Sequence, residues 1–173
     1  MTITIFGSSS PKPGEQQYED AYRLGKLLAK SGFNICSGGY QGIMDAVSKA
    51  AREENREAIG VLVKNWGAVP SSFLSKQIIC DNLTVRIEKL ISLADGFVVL
   101  RGGTGTLLEL SFVWEYLNKG ILKNKPVVCH SDMWERIILI MNRQLAAEGR
   151  RTDLLLHYQS IEEIVSYLIM RLS

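Results

Sequence analysis

Cysteine is scarce in this sequence, and its spacing argues against two classes of protein. Only three cysteines occur, Cys36, Cys80 and Cys129, and no two of them form a CxxC pair. An odd set without paired spacing gives no disulfide framework, and the adjacent Cys129 and His130 lack the two further ligands that a zinc site needs. Each cysteine lies inside an apolar, strand-like run. We therefore predict reduced cysteines in the core and no metal ion.

An excess of charge of one sign and long apolar runs are also missing. The formal net charge is only +2 and the charged residues are interspersed, so no basic patch for nucleic acid or an anionic membrane stands out. No stretch approaches the roughly 18 apolar residues of a membrane span, and the opening MTITIFG lacks the basic start and apolar run of a secretory signal. These absences predict a cytoplasmic protein with neither nucleic acid nor membrane as partner.

What the sequence does contain is a regular alternation of two hydrophobic periods. Short runs rich in Val, Ile and Phe alternate with segments that carry apolar residues at helical spacing. The strand-like runs are ITIFG, FNICSGG, EAIGVLV, KQIICD, GFVVLRGG and KPVVCH. Strands separated by helices form a parallel sheet, and right-handed crossovers place helices on both of its faces. We predict one Rossmann-like, doubly wound α/β domain over residues 1–173, with a surface loop at residues 64–76.

Three strand-to-helix joints carry residues that suit an anion. Ligands in such folds bind beyond the carboxyl ends of the strands. FGSSSPKPG follows the first strand, SGGYQG the second and RGGTGT the fifth. Glycine lets backbone N–H groups approach a ligand closely, and a helix start offers unpaired N–H donors. The residues predicted to bind phosphate are Ser8, Ser9, Gly38, Gly39, Gly102, Gly103, Thr104, Gly105 and Thr106. Glycines that serve only tight turns are the alternative, which two such loops at one edge make less favoured.

Two common nucleotide-binding motifs are absent from these joints. A P-loop needs GxxxxGK followed by Ser or Thr, and no lysine follows Gly105. The dinucleotide fingerprint needs GxGxxG in the first turn, where Gly7 stands without partners. A kinase-like NTPase and an NAD enzyme are thus disfavoured, and we expect a smaller phosphorylated ligand.

The glycine-rich segments resemble those of the LOG, or Lonely Guy, proteins, which are phosphoribohydrolases often mislabelled as lysine decarboxylases. SGGYQGIMDAV is similar to the GGxxGxM segment of that family, and GGTGTLLE matches its GGxGTxxE core. The resemblance extends over roughly residues 3–145. It implies that the loop binds the 5′-phosphate of a nucleoside monophosphate, such as AMP or a cytokinin riboside monophosphate. It also implies hydrolysis to the free base and ribose 5-phosphate, and assembly into dimers or larger oligomers.

The resemblance assigns chemistry to Glu109 and Arg86. Glu109 occupies the position of the family's catalytic glutamate, and Arg86 that of the arginine in its MHxRK stretch. A carboxylate beside the anomeric carbon stabilises positive charge on the sugar and orients or deprotonates the attacking water. Two alternatives stay open: Glu109 closes a capping box with Thr106, or Arg86 is a solvated helix charge.

The sequence departs from the family pattern at a few positions. Leu83, Thr84 and Ile87 replace the Met, His and Lys of the MHxRK stretch, and Arg101 replaces the proline before the glycines. Arg101 brings a charge near the one lost with the lysine, so we count it among the predicted phosphate contacts. Met44 is also counted as a ligand contact, with core packing as its alternative.

Two functions remain open from the sequence. One is a nucleoside 5′-monophosphate phosphoribohydrolase that uses no metal or organic cofactor. The other is a non-catalytic binder or carrier of a nucleotide or another phosphorylated ligand, which the altered MHxRK stretch and Arg101 favour. A pyridoxal-phosphate decarboxylase is disfavoured, since no lysine near the glycine loop is present to form the Schiff base. The helix after the loop is apolar nearly all round, which predicts that a second copy of the chain packs on it in a homodimer.

Overall fold

The structure is a computed structural model that describes residues 1–123 and 125–172. Strands and helices largely alternate along these residues, as the hydrophobic periods predict, with two consecutive strands on either side of the loop at residues 64–75. In chain order the elements are β1 (Thr2–Phe6), α1 (Gln16–Lys30), β2 (Asn34–Ser37), α2 (Ile43–Glu53), β3 (Ala58–Val63), β4 (Lys76–Cys80), α3 (Leu83–Leu93), β5 (Gly96–Val99), α4 (Thr104–Asn118), β6 (Val127–Cys129), α5 (Asp132–Ala147), β7 (Leu156–His157) and α6 (Ile161–Leu172).

The strands form one parallel sheet with a switch in strand order at its centre. The order is β4-β3-β2-β1-β5-β6-β7, and every neighbouring pair runs parallel. The chain therefore builds the sheet outward from β1 to β4 and then crosses back to place β5 on the other side of β1. Phe6 pairs with Val99 in register at this junction. The predicted doubly wound α/β fold is confirmed, and its switch point between β1 and β5 is where such sheets leave a crevice for ligands.

The sheet is covered on both faces, because successive side chains of each strand point in opposite directions. Ile5 packs into the core beneath α1, α2 and α6, whereas its neighbour Phe6 packs into the core beneath α3, α4 and α5. Residues 97–99 of β5 are fully buried, as expected for a central strand between two helical layers. The two helical layers thus hold the carboxyl ends of β1, β2, β3 and β5 in fixed positions.

All three cysteines are buried and unpaired, as predicted. Burial raises the pKa of the Cys36 and Cys129 thiols to about 12, so both stay protonated at neutral pH. In the part of the chain that the structure describes, no three His, Cys, Asp or Glu side chains gather as a metal site requires. None of the described helices is long and apolar enough to cross a membrane.

Candidate active site at the carboxyl edge of the sheet

The loops after β1 and β5 meet at the switch point and are joined through their backbones. The Ser8 N–H donates to the Arg101 carbonyl at 3.1 Å, and the Ile43 N–H at the start of α2 donates to the Ser8 carbonyl at 2.9 Å. Beside these loops lies a cavity of about 360 Å³. The predicted site residues that line it are Ser8, Ser9, Met44, Arg86, Gly103, Thr104, Gly105, Thr106 and Glu109.

The start of α4 opens onto this cavity. Gly103 is the N-cap residue, and no side chain caps the helix among the described residues. The first amides of a helix have no carbonyl within the helix to donate to, so those of residues 104–106 are available to a ligand. A Cβ atom on Gly102 would lie 2.1 Å from Thr106 Oγ1 and 3.1 Å from the Ser8 nitrogen. The loop can pass this close to Thr106 only because residue 102 is glycine.

Arg86 and Glu109 form an ion pair at the floor of the cavity. Arg86 Nη1 lies 3.1 Å from Glu109 Oε1, and each residue is only 8% exposed. Arg86 Nε donates to the Val61 carbonyl at 2.8 Å, which fixes the guanidinium against β3. Both alternatives left open by the sequence are therefore wrong: Arg86 is not solvated, and Glu109 bonds across to α3 instead of closing a capping box.

A glycine in the β2 loop makes room for this pair. A Cβ atom on Gly38 would lie 1.8 Å from Arg86 Nη2 and 2.7 Å from Met44 Sδ. The Arg86 guanidinium also lies 5.8 Å from the centre of the Tyr40 ring, which is within the range of a cation–π contact. Gly38 is thus placed to admit Arg86 and does not itself line the cavity.

The environment of Glu109 brings its titration close to neutral pH. Burial raises the pKa of the carboxyl group to about 7, against the opposing effects of the Arg86 charge and hydrogen bond. Burial dominates because the cost of desolvating the carboxylate exceeds what one cation returns. A carboxyl group with this pKa exists in both protonation states near pH 7, which is the property of a general acid or base.

Besides Gly38, the predicted residues Gly39, Arg101 and Gly102 and the altered position Ile87 lie outside the cavity lining. Arg101 and His130 line a neighbouring cavity on the α1 side of the sheet, where His130 Nε2 lies 3.0 Å from the Gln159 carbonyl oxygen. Gly39 lies against Gly60 of β3. Ile87, at the position of the family's lysine, is buried in the core beneath α3. An apolar side chain there contributes to packing, and the charge of Arg101 is directed to a different cavity.

Two aromatic residues that were not among the predicted site residues, Tyr40 and Trp66, also line the cavity. Tyr40 is buried, and its hydroxyl accepts a hydrogen bond from the Val63 N–H at 2.9 Å. Trp66 is 52% exposed and lies on the loop after β3. The signal in the sequence that could have identified Trp66 is a tryptophan in a loop with Gly and Pro, directly after a strand that ends at the ligand edge.

The loop that carries Trp66 is fastened at its far end by a partly buried hydrogen-bond network around Asp45. The Asp45 carboxylate accepts hydrogen bonds from the Tyr18 hydroxyl at 2.8 Å and the Ser71 hydroxyl at 2.7 Å. The Ser71 N–H donates to the Gly39 carbonyl at 2.9 Å. Both oxygens of Asp45 are thereby used to hold α1 and this loop against α2.

Known proteins are similar to this chain in sequence and in fold. The chain is 28% identical over 153 residues to the cytokinin riboside 5′-monophosphate phosphoribohydrolase of Rhodococcoides fascians, covering 86% of this chain and 77% of that one. It is 30% identical over 132 residues to the protein of the same name from Mycobacterium tuberculosis, covering 73% and 68%. The molybdenum cofactor binding protein of Rippkaea orientalis, 21% identical, has the same fold, with a TM-score of 0.78 and coverage of 99% and 97%.

The family relationship extends over nearly the whole chain. The sequence profile of the SLOG cluster4 family matches residues 1–164, which include every joint of the candidate site. The resemblance to LOG proteins seen in the glycine segments is confirmed by the named relatives. The chain belongs to the SLOG cluster4 family.

Proposed function

We propose that the protein is a nucleoside 5′-monophosphate phosphoribohydrolase, which hydrolyses the N-glycosidic bond and releases the free base and ribose 5-phosphate. The observation that carries this proposal is the buried Arg86–Glu109 pair, which lines the same cavity as the start of α4. An anion-binding helix start beside a carboxyl group of raised pKa suits a phosphorylated sugar. The names of the relatives from R. fascians and M. tuberculosis support the same class of reaction.

The 5′-phosphate binds at the start of α4. The amides of residues 104–106 and the hydroxyls of Ser9, Thr104 and Thr106 supply donors, and the helix dipole favours the negative charge. With the phosphate there, the ribose reaches the deeper part of the cavity. Glu109 lies one turn further along α4 than the phosphate donors, so its carboxylate faces the anomeric carbon.

Glu109 acts in its ionised form. The bond between C1′ of the ribose and the base nitrogen breaks with its electron pair going to the base, and positive charge develops on the sugar. The carboxylate stabilises this charge and takes a proton from the water that attacks C1′. The departing base takes up a proton from solvent and Glu109 then returns its own proton to solvent, so that the protons balance. Arg86 holds the carboxylate in place through the hydrogen bond from Nη1.

Incubation of the full chain with AMP, GMP and CMP tests the proposed function. We expect free base and ribose 5-phosphate in equal amounts. Adenosine, which lacks the phosphate, serves as the control and should show a kcat/KM at least about a hundredfold lower, because it forgoes charge-assisted hydrogen bonds at the helix start. Calorimetric AMP binding without base release would contradict the hydrolase and identify a carrier of phosphorylated ligands.

We also propose that the active form is a homodimer built on α4 and α5. The helix α4 leaves Leu107, Leu108 and Ser111 exposed in one stripe, and Leu107 and Met141 of α5 line an apolar groove of about 610 Å³. Contiguous exposed apolar surface marks interaction sites. A second copy of the chain is the occupant we propose, because Leu107 directly follows Thr106 and the partner would close the cavity that binds phosphate.

The substitution Met141→Glu tests this assembly. A charge placed in the groove would lose its water on association, so the dissociation constant should rise at least about a hundredfold. Sedimentation or mass measurement should show twice the chain mass for the native protein and a single chain for the variant at micromolar concentration. Met170→Glu, at an exposed methionine of α6 outside the groove, is the matched control and should stay dimeric. A monomeric native chain would contradict the proposal.

A further inference from the structure

The cavity extends along the sheet edge from the phosphate-binding loop to the loop after β3. The glycine loop follows β5, the serine loop follows β1, Tyr40 follows β2 and Trp66 follows β3, and these strands are consecutive neighbours in the sheet. Neighbouring strands lie about 4.8 Å apart, so the β5 and β3 loops are separated by roughly 14 Å. The Arg86–Glu109 pair connects these two ends, because Glu109 belongs to α4 and Arg86 donates to the Val61 carbonyl of β3. A ligand whose phosphate is held at α4 and whose sugar meets Glu109 therefore directs its remaining group toward Tyr40 and Trp66.

The end of the cavity beyond Glu109 is aromatic and apolar. Its side chains are those of Tyr40, Met44, Trp66 and Ala68. The Tyr40 hydroxyl is already bonded to the Val63 N–H, and a methionine sulfur is only a weak acceptor. This end thus provides flat surfaces for stacking and few side-chain groups that could form hydrogen bonds with the edge of a base.

Trp66 differs from the other tryptophans in its exposure and position. It is 52% exposed, whereas Trp114 is 7% and Trp134 is 1% exposed. The far end of its loop is fixed on the β2 joint, where the Ser71 N–H donates to the Gly39 carbonyl. A large aromatic ring left in water on an anchored loop has unused stacking surface facing the cavity.

We propose that Trp66 stacks on the nucleobase, and that the site selects its substrate by base stacking rather than by hydrogen bonds to the base. This inference rests on the proposed function, since it assumes that the sugar-phosphate binds as described above. Purines offer more stacking surface than pyrimidines, so AMP and GMP should be similar substrates and both should exceed CMP.

Kinetics of Trp66 variants test the role of the ring. For Trp66→Ala, kcat/KM for AMP should fall about tenfold, which corresponds to about 1.4 kcal/mol and lies within the range for stacking of a base on an aromatic side chain. Trp66→Phe should retain most of the activity. Inhibition by ribose 5-phosphate, which has no base, should be unchanged in both variants. Val69→Ala is the control, because Val69 is exposed on the same loop and does not line the cavity.

Fluorescence separates failure of this inference from failure of the proposed function. AMP should quench the exposed tryptophan of the native chain, ribose 5-phosphate should not, and Trp66→Phe should abolish the effect. If the native chain hydrolyses AMP and Trp66→Ala does so equally well, or if AMP is preferred over GMP by a large factor, the stacking inference is wrong. If AMP binds with quenching but no base is released, the hydrolase proposal alone is wrong. A chain that does not bind AMP overturns both.

Discussion

Replacing Glu109 by glutamine is expected to lower kcat for AMP hydrolysis about a thousandfold, within the range of about 10²–10⁴ that a positioned general base contributes. Glutamine keeps the shape of the side chain and its oxygen can still accept the hydrogen bond from Arg86. It has no charge to stabilise the sugar cation and cannot take the proton of the attacking water. AMP affinity, which depends on the phosphate contacts at α4, should change less than about threefold. Steady-state kinetics and calorimetry measure the two quantities.

Glu88→Gln is the matched control for this variant. Glu88 lies on the exposed side of α3, two residues from Arg86, so the substitution removes the same charge outside the cavity. We expect its kcat to stay within about twofold of the native value. A Glu109→Gln protein that turns over AMP as fast as the Glu88→Gln protein would contradict the assigned role.

The pH dependence of the rate provides a second test of Glu109. The base must be ionised and its pKa is about 7, so kcat/KM of the native protein should fall about tenfold per pH unit below that value and level off above it. The residual rate of Glu109→Gln should lack this limb, which distinguishes the carboxyl group from the substrate phosphate, whose own pKa is about 6. A native profile that is flat over about pH 5–8 would argue against an ionised carboxylate in the rate-determining step.

Replacing Arg86 by methionine should reduce both stability and turnover. Methionine keeps most of the side-chain volume but leaves the Glu109 carboxylate buried without its counter-charge. Breaking a buried pair in this way costs up to about 3–5 kcal/mol of unfolding free energy while the remaining partner stays charged. Burial then acts on Glu109 unopposed and raises its pKa further, so that at pH 7 most molecules carry the protonated, inactive form. We expect a kcat at least about a hundredfold lower.

The stability loss in Arg86→Met should depend on pH in a defined direction. A carboxyl group with a raised pKa in the folded state contributes stability that is complete below its unfolded value of 4.5 and is lost as the pH rises through the folded value of about 7. In the variant the pKa of Glu109 in the folded state is higher, so its carboxyl group stays neutral to higher pH. In acid the carboxyl group is neutral in both proteins, and the loss of the Arg86 charge changes the free energy of unfolding little. Chemical denaturation should therefore show a small difference from the native protein at about pH 5 and a difference that grows as the pH rises above about 7.

Lys89→Met on the same helix controls for the loss of a cation from α3. Lys89 is half-buried and has no acidic partner among the described ion pairs, so its replacement should change the unfolding free energy by less than about 0.5 kcal/mol. An Arg86→Met protein as stable as this control at about pH 8 would show that the pair is not coupled as the geometry indicates.

The fold could be predicted because the central strands are short, nearly continuous apolar runs. Residues 96–99 and 127–129 pack on both faces, and such strands alternate with clear helical periods. The strand β7 (Leu156–His157) could not be predicted, since two residues at a sheet edge carry no measurable period. The start of α4 at Thr104 could not be predicted either, because its N-cap residue is a glycine without a capping side chain.

The position of Glu109 beside the glycine loop could be predicted from the sequence, whereas the other residues that line the cavity could not. The capping-box alternative stayed open because the interval from Thr106 to Glu109 fits both structures. The N-cap at Gly103 and the bond from Arg86, which is distant in sequence, decide between them. Trp66 reaches the cavity through a loop whose course depends on the bond from Ser71 to Asp45, a contact between separate segments. Arg101 adjoins the glycine loop in sequence, yet it lines a cavity together with α1 on the other side of the sheet.

The backbone bond from the Ser8 amide to the Arg101 carbonyl makes ligand affinity a report on the whole fold. Residues 8 and 109 line one cavity from opposite sides of the β1–β5 junction, so the proposed nucleotide should need both halves of the sheet to bind. A growing polypeptide would gain affinity only once β5 had joined β1. Conversely, a ligand at a hundred times its Kd would add about 2.7 kcal/mol against global unfolding, and proteolysis of the complete chain should slow accordingly.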